Sequence, residues 1–164
     1  MEEKITFTPI GIVHSPYKEP KGVPIQPAGA KGSRGVIEIY PEYAPGLKDL
    51  EGFSHIYVLF HFHKGRLPPE SLKLVPYLDD KERGLFATRA PSRPNPIGLS
   101  LLKLVEVRGR ELHVEDLDMI DDTPVLDIKP FAARFDNREN SKAGWLEGVI
   151  HKLDETRDDG RFKD

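Results

Sequence analysis

Apolar and polar positions alternate most regularly over residues 55–63 (HIYVLFHFH). Ile56, Val58, Phe60 and Phe62 fall on one side of a strand, and His55, Tyr57, Leu59, His61 and His63 on the other. Successive strand side chains point to opposite faces, so the first set predicts a core face. The second is too polar for a dry core and predicts a face bordering solvent, a ligand or a subunit interface. Ile5, Phe7, Ile10 and Ile12 predict an opening strand with a break near Pro9, residues 36–40 a short strand, and residues 84–88 another. Residues 99–107 predict a longer strand that turns at Arg108-Gly109-Arg110 into residues 111–114, a hairpin with glycine in its loop. Residues 125–128 predict a last strand, stopped by Pro130. Residues 43–50 read as a short helix in which Pro45 is tolerable only in the first turn.

Composition strengthens this mainly β reading. Fifteen prolines and fourteen glycines in 164 residues leave few stretches long enough for a helix, so short strands joined by turns and structured loops are expected. Residues 15–35 hold four of the prolines and four of the glycines and read as a long loop, a feature that in compact domains is usually functional or disordered. The length suits a single domain, assigned to residues 1–135. A C-terminal segment, 136–164, is polar apart from Trp145, Leu146, Val149 and Ile150, and is expected to be partly docked with a frayed tail. The absence of cysteine excludes a disulfide framework, a zinc ribbon and a thiol nucleophile. The charged start, MEEKITFTPIG, lacks the apolar core of a signal peptide, and no apolar run approaches the length of a membrane span, so a cytoplasmic protein is expected.

The net charge of −3 hides a division. Residues 60–110 carry ten Lys/Arg and five Asp/Glu, whereas residues 111–127 carry seven acids and no Lys/Arg. A nucleic-acid partner would therefore need a local basic patch. The most unusual stretch is residues 84–101, GLFATRAPSRPNPIGLSL. Pro91, Pro94 and Pro96 stiffen the backbone that presents Arg89, Arg93 and Asn95, so little entropy is lost when these side chains grip a ligand; alternatively the arginines pair with local carboxylates. His61 and His63, two apart on a strand, could share a metal ion, although no third ligand is placed by spacing; otherwise they line a pocket or hydrogen-bond locally. The acidic run EDLDMIDDTPVLD does not fit a calcium loop. It is either a solvated turn or a site for a cationic small molecule or ribose hydroxyls. No G-x-G-x-x-G, Walker or G-x-S-x-G sequence is present, so a nucleotide-like cofactor would need an unusual scaffold.

Five blocks in order, IGIVHSPYKE (10–19), VPIQPAG (23–29), FSHIYVLFHFH (53–63), GLFATRAPSRPNPIGLS (84–100) and DLDMIDDTPVLDIKPF (116–131), resemble the TrmO family, also called TsaA-like or VirR-like. That resemblance implies a β-barrel-like, non-Rossmann methyltransferase that uses S-adenosyl-L-methionine and works as a homodimer. It further implies a tRNA substrate bearing N6-threonylcarbamoyladenosine beside the anticodon, methylated on N6. The family's cofactor contacts fall on Pro27, Ala28, Gly29, His63, Lys64, Arg89, Leu99, Glu115, Asp116, Leu117 and Asp118. Arg89 would hold the cofactor carboxylate. Asp121, Asp127 and a histidine of the 55/61/63 set, His61 among them, are candidates for the general base, and Arg93, Asn95, Lys129 and Arg134 for tRNA contacts. No metal is implied. The competing functions are a metal-dependent small-barrel hydrolase or dioxygenase using His61 and His63, and a non-catalytic tRNA-binding module. Two departures stand out. Asp122 occupies the family's usual D-G-T-P glycine, and aspartate tolerates a left-handed backbone better than most residues. Bacterial members also carry a further C-terminal domain where this chain shows a short tail.

Overall fold

In a computed structural model describing residues 3–64 and 71–162, six antiparallel strands close into a barrel. In chain order the strands are β1 (Gly11–His14), β2 (Arg34–Ile39), β3 (His55–His61), β4 (Lys73–Leu74), β5 (Arg83–Gly84), β6 (Ile97–Arg108), β7 (Glu111–Glu115) and β8 (Pro124–Pro130). The barrel runs β1-β2-β7-β6-β3-β8, while β4 and β5 form a separate two-stranded sheet. The alternation in β3 is realised: Ile56, Val58 and Phe60 are buried, and Phe62 packs against the same core. Val13, Ile37, Ile39, Leu102, Leu112 and Val125 fill the rest of the interior. Ile37, Ile56 and Leu102 are at most 1 % exposed, and truncating any of them to alanine removes about 2–5 kcal/mol. Gly98, opposite Phe60 in the β3–β6 pair, has no room for a side chain, because a Cβ there would collide with the Phe60 ring. The β6–β7 hairpin turns at Gly109, φ 60°, as its sequence predicts.

Three expectations are corrected. The opening strand begins only at Gly11; Ile5 and Phe7 lie outside it, 77 % and 62 % exposed. Residues 84–88 are not a strand: after the two-residue β5 the chain makes a 3₁₀ turn, Leu85–Ala87, with Leu85 and Thr88 buried and Phe86 and Ala87 exposed between them, a spacing that suits a turn and not a pleat. The helix expected at 43–50 is a 3₁₀ segment, Pro41–Leu47, because Pro45 inside it removes a backbone donor.

Two features position the site. β6 pairs with β3 over residues 97–103, but with β7 only from Lys103 onward, so its first half has one edge without a strand neighbour. After β8, a single helical turn α1 (Ala133–Asp136) leads to 3₁₀ turns at Gly144–Gly148 and Ile150–Lys152, and the chain then returns as a strap. The strap is tied by Asp158 N donating to Val23 O, Gly22 N donating to Asp158 O, and a bridge between Pro24 and Arg157. Its Leu153 packs onto Gly29, where a Cβ would lie 3.0 Å from the Leu153 carbonyl oxygen. No helix among the described residues is long and apolar enough to cross a membrane.

Candidate functional site

A cavity of about 720 Å³ opens at the strand-free edge of β6. Gly98, Leu99 and Ser100 line one wall, and the 3₁₀ turn Pro27–Gly29, packed on β6, brings up Gln26 and Ala28. His61, His63 and Lys64 come from the end of β3, Thr88, Arg89 and Arg93 from the proline-rich loop, and Asp118 to Ile120 from the segment after β7. The strap closes the remaining side with Trp145, Ile150, Leu153 and Phe162.

The polar groups divide by chemistry. Asp118 accepts a hydrogen bond from Ser100 Oγ at 2.7 Å, and burial pushes its carboxyl up to about 7 although Ser100, its own backbone and Arg89 all oppose the shift. Arg89 Nη1 donates to Gln26 Oε1 at 2.8 Å, which joins the proline-rich loop to the Pro27–Gly29 turn. Arg93 is partly buried and braces its own loop: Nη1 donates to Thr88 O at 3.0 Å and to Ala90 O at 3.1 Å. Buried side-chain polar atoms without a hydrogen bond number three among the described residues, both ring nitrogens of His63 and the Tyr77 hydroxyl, and both residues line this cavity. Such groups are rare in native proteins and point to a ligand, a water or a chemical role. Burial, with smaller contributions from Lys64 and His61, lowers the His63 pKa against an opposing pull from Asp122. Burial and the nearby Asp158 charge raise that of Tyr77.

Of the residues singled out in the sequence, Ala28, His61, His63, Lys64, Arg89, Arg93, Leu99 and Asp118 meet at the cavity, with Pro27 and Gly29 buried in the turn behind Ala28. Others lie elsewhere. Glu115 pairs with Arg34 at 3.1 Å and Lys103 at 3.2 Å, and Leu117 is in the core. Asp116, φ 66°, accepts from Gly32 N at 3.0 Å and so fixes the end of the long loop. Asp121 accepts from Ser15 N at 2.8 Å and Lys18 Nζ at 2.6 Å, outside the cavity lining. Asp127 pairs with Lys129 at 2.8 Å on an accessible part of β8. Asn95 and Arg134 are exposed and away from the cavity lining. Asp122 adopts φ 61°, a left-handed backbone that aspartate tolerates better than most residues. His61 and His63 gain no third ligand: among the described residues no group of three His, Asp or Glu side chains is arranged to hold a metal.

Sequence reasoning missed Tyr77, Trp145, Asp158, Phe162 and Ser100. Ser100 carried a signal, a lone hydroxyl at a core position of a strand. The others come from segments far apart in sequence: Trp145 Nε1 donates to Ala87 O at 2.7 Å, Arg83 lies 5.5 Å over the Trp145 ring, and Phe162 meets Tyr77 edge-on at 5.0 Å.

The model of one protein family, the tRNA-methyltransferase O N-terminal domain, matches residues 12–137. The chain belongs to this family. A probable S-adenosyl-L-methionine-binding protein of Pyrococcus abyssi is 53% identical over 158 residues, covering 96% of this chain and 85% of the relative. The tRNA (adenine(37)-N6)-methyltransferase of Escherichia coli is 38% identical over 153 residues, covering 87% of this chain and 64% of the relative. The crystal structure of TrmO from Pseudomonas aeruginosa superposes with a TM-score of 0.73 at 34% identity, over 90% of this chain and 63% of that one. The chain thus spans somewhat less than two thirds of these two bacterial relatives. Family membership accounts for the missing glycine fingerprint, because the barrel is not a Rossmann scaffold. The cavity-lining strap lies beyond the matched residues.

Proposed function

We propose that this chain is an S-adenosyl-L-methionine-dependent methyltransferase that methylates N6 of threonylcarbamoyladenosine beside the anticodon of tRNA. The observation that carries the reading is the cavity itself, which opposes an arginine and a carboxylate along an unpaired strand edge in a barrel of this family. The cofactor is a zwitterion with an additional positive sulfonium and an adenine. Arg89 suits its carboxylate, Asp118 its cationic groups, and the exposed backbone of β6 at Leu99 the edge of its adenine. Pro27, Ala28 and Gly29 offer a close backbone wall, and His63 and Lys64 the opposite one. When bound, the cofactor supplies an electrophilic methyl group. The protein's part is then alignment, and a mostly apolar cavity with a braced loop provides it.

Arg93 at the cavity and the nearby Lys64 offer cations to the tRNA backbone, with Asn95, Lys129 and Arg134 as outlying contacts, and such contacts make binding fall as salt rises. A homodimer is supported by the outward face of β3 and β6, where Ile97 and Leu99 are 37% and 46% exposed beside the partly covered Tyr57, Leu59 and Leu101. Leu99 belongs to both this face and the cavity, so in such a dimer the cavity mouth would border the interface. A cytoplasmic location agrees with a tRNA substrate. The test is transfer of a labelled methyl group to tRNA carrying or lacking the threonylcarbamoyl group: label on the modified tRNA alone is expected, and equal label on both, or none, refutes the substrate.

A further inference from the structure

We propose that His63 is the proton acceptor of the methyl transfer, taking the proton that N6 of the acceptor adenine must lose. The inference rests on the methyltransferase reading above. The N6 lone pair of a carbamoylated adenine is delocalised into both the ring and the carbonyl, so it is a poor nucleophile until its proton begins to leave. As the N6 lone pair forms the new N–C bond, the C–S bond breaks with its electrons passing to sulfur, and the N–H proton passes to an unprotonated imidazole nitrogen. The histidinium then returns the proton to solvent as products leave.

Among the described residues the cavity offers few other acceptors. Asp118 already accepts from Ser100 and faces Arg89, and a carboxylate beside a bound cation loses basicity. Asp158 is carried on the strap, its backbone tied to Val23 and Gly22 and its carboxyl next to Tyr77. Asp121 and Asp127 are engaged by Lys18 and Lys129 away from the lining. His61 also lines the cavity, but it sits within β3 on the outward-facing side of the strand. His63 differs from all of these: among the described residues both ring nitrogens are shielded from solvent and neither is satisfied by a well-formed hydrogen bond, with the His61 backbone nearby, a cost to the fold that an acceptor's N–H would offset. Among the described residues the groups around it are Lys64 and the His61 ring, which disfavour its cation, and the His61 backbone and Asp122, which favour it. Desolvation and the two basic neighbours win, so the ring is held uncharged at neutral pH with a bare nitrogen available.

The test compares wild type, His63→Gln and His63→Ala on tRNA bearing threonylcarbamoyladenosine, with cofactor affinity measured separately by calorimetry. His63→Gln is expected to lose roughly 100-fold or more in kcat at saturating cofactor, the usual scale of general-base catalysis, a loss separate from any weakening of the cofactor Kd that follows from its place in the cavity wall. With cofactor saturating at every pH, the wild-type kcat should fall on an acid limb below the ordinary histidine pKa, this limb should vanish in His63→Gln, and added imidazole should restore part of the rate to His63→Ala. A readout independent of turnover is the His63 Hε1 resonance of the wild-type protein, which should titrate below the ordinary histidine pKa and shift when the modified nucleoside is added with S-adenosylhomocysteine. An active wild type with His63→Gln retaining kcat within threefold, or losing only cofactor affinity, overturns the proposal alone; so does an acid limb in kcat at saturating cofactor that survives in His63→Gln and disappears in Asp118→Asn. A wild type that methylates no tRNA overturns the methyl-transfer reading, and the proposal falls with it.

Discussion

Replacing Asp118 by asparagine should make the protein more stable and its cofactor site worse, with opposite pH signatures in the two measurements. The Asp118 carboxyl titrates at about 7 in the fold against an ordinary 3.8. Because the folded value lies above the unfolded one, ionising Asp118 opposes folding: the stability is fully present below about pH 4, is lost as the pH rises toward 7, and stays lost above it. Three units at ~1.36 kcal/mol each set a ceiling of about 4 kcal/mol, which cavity water reduces to about 1–3 kcal/mol. Asparagine keeps an oxygen for Ser100 and carries no charge. At pH 8 the variant should therefore melt about 3–10 °C higher than wild type, and at pH 4 at nearly the same temperature. Cofactor binding runs the other way, because a cationic ligand favours the carboxylate. Wild-type affinity should strengthen about tenfold per unit from pH 5 toward 7, with close to one proton released per molecule bound near pH 6, and level off above 7. Asp118→Asn should bind about 10- to 100-fold more weakly at pH 8 and show no such slope, as loss of a charged hydrogen bond implies. Melting curves at two pH values and calorimetry in buffers of differing ionisation enthalpy read both effects. Equal melting shifts at pH 4 and pH 8, or unchanged affinity in the variant, would refute the reasoning.

Arg89→Ala should weaken the cofactor by about 10- to 100-fold through loss of a charge-assisted contact, with little change in melting temperature because Arg89 is exposed and bonds only Gln26 among the described residues; calorimetry that finds wild-type affinity removes the carboxylate clamp. Asp122→Gly should stabilise the fold by up to about 1 kcal/mol, since a left-handed backbone costs an L-residue about that much, and a lower melting temperature would show that the Asp122 side chain contributes a compensating interaction. Trp145→Ala should loosen the strap without disturbing the barrel: hydrogen exchange should rise in residues 20–30 and 75–78 and stay unchanged in β3 and β6, and uniform exchange across the chain would contradict a separately held strap.

Legibility followed the range of the interactions. β3 could be read because its alternation is local and its inward residues meet the core with no exception. The β6–β7 hairpin could be read because Gly109 supplies the backbone its turn requires. The left-handed backbone at Asp122 was only hinted at, by the glycine that the resembling family carries there. Residues 84–88 misled because apolar content suggested a strand, whereas the burial of Leu85 and Thr88 three apart belongs to a turn. Ile5 and Phe7 misled because apolar content alone does not show where pairing starts: β1 begins at Gly11, opposite Ile39 where its neighbour β2 ends. Trp145 and its apolar neighbours signalled that the C-terminal segment docks, but where the strap docks was not legible. It joins Trp145 to Ala87 and Asp158 to Val23, contacts that no spacing records, and it brings Tyr77 to the same cavity as His63. The proline-rich loop was recognised for its arginines, but their division of labour, Arg89 reaching across to Gln26 and Arg93 bracing its own carbonyls, emerged only in three dimensions.

The central claim is methyl transfer to one nitrogen of one modified nucleoside. Nucleoside mass spectrometry of tRNA incubated with the purified chain and S-adenosyl-L-methionine tests it most directly. The account predicts a gain of one methyl mass on threonylcarbamoyladenosine, with fragmentation placing it on N6, and no gain on tRNA lacking that modification. A methyl group on any other nucleoside, or none on this one while the chain still binds the cofactor, would contradict it.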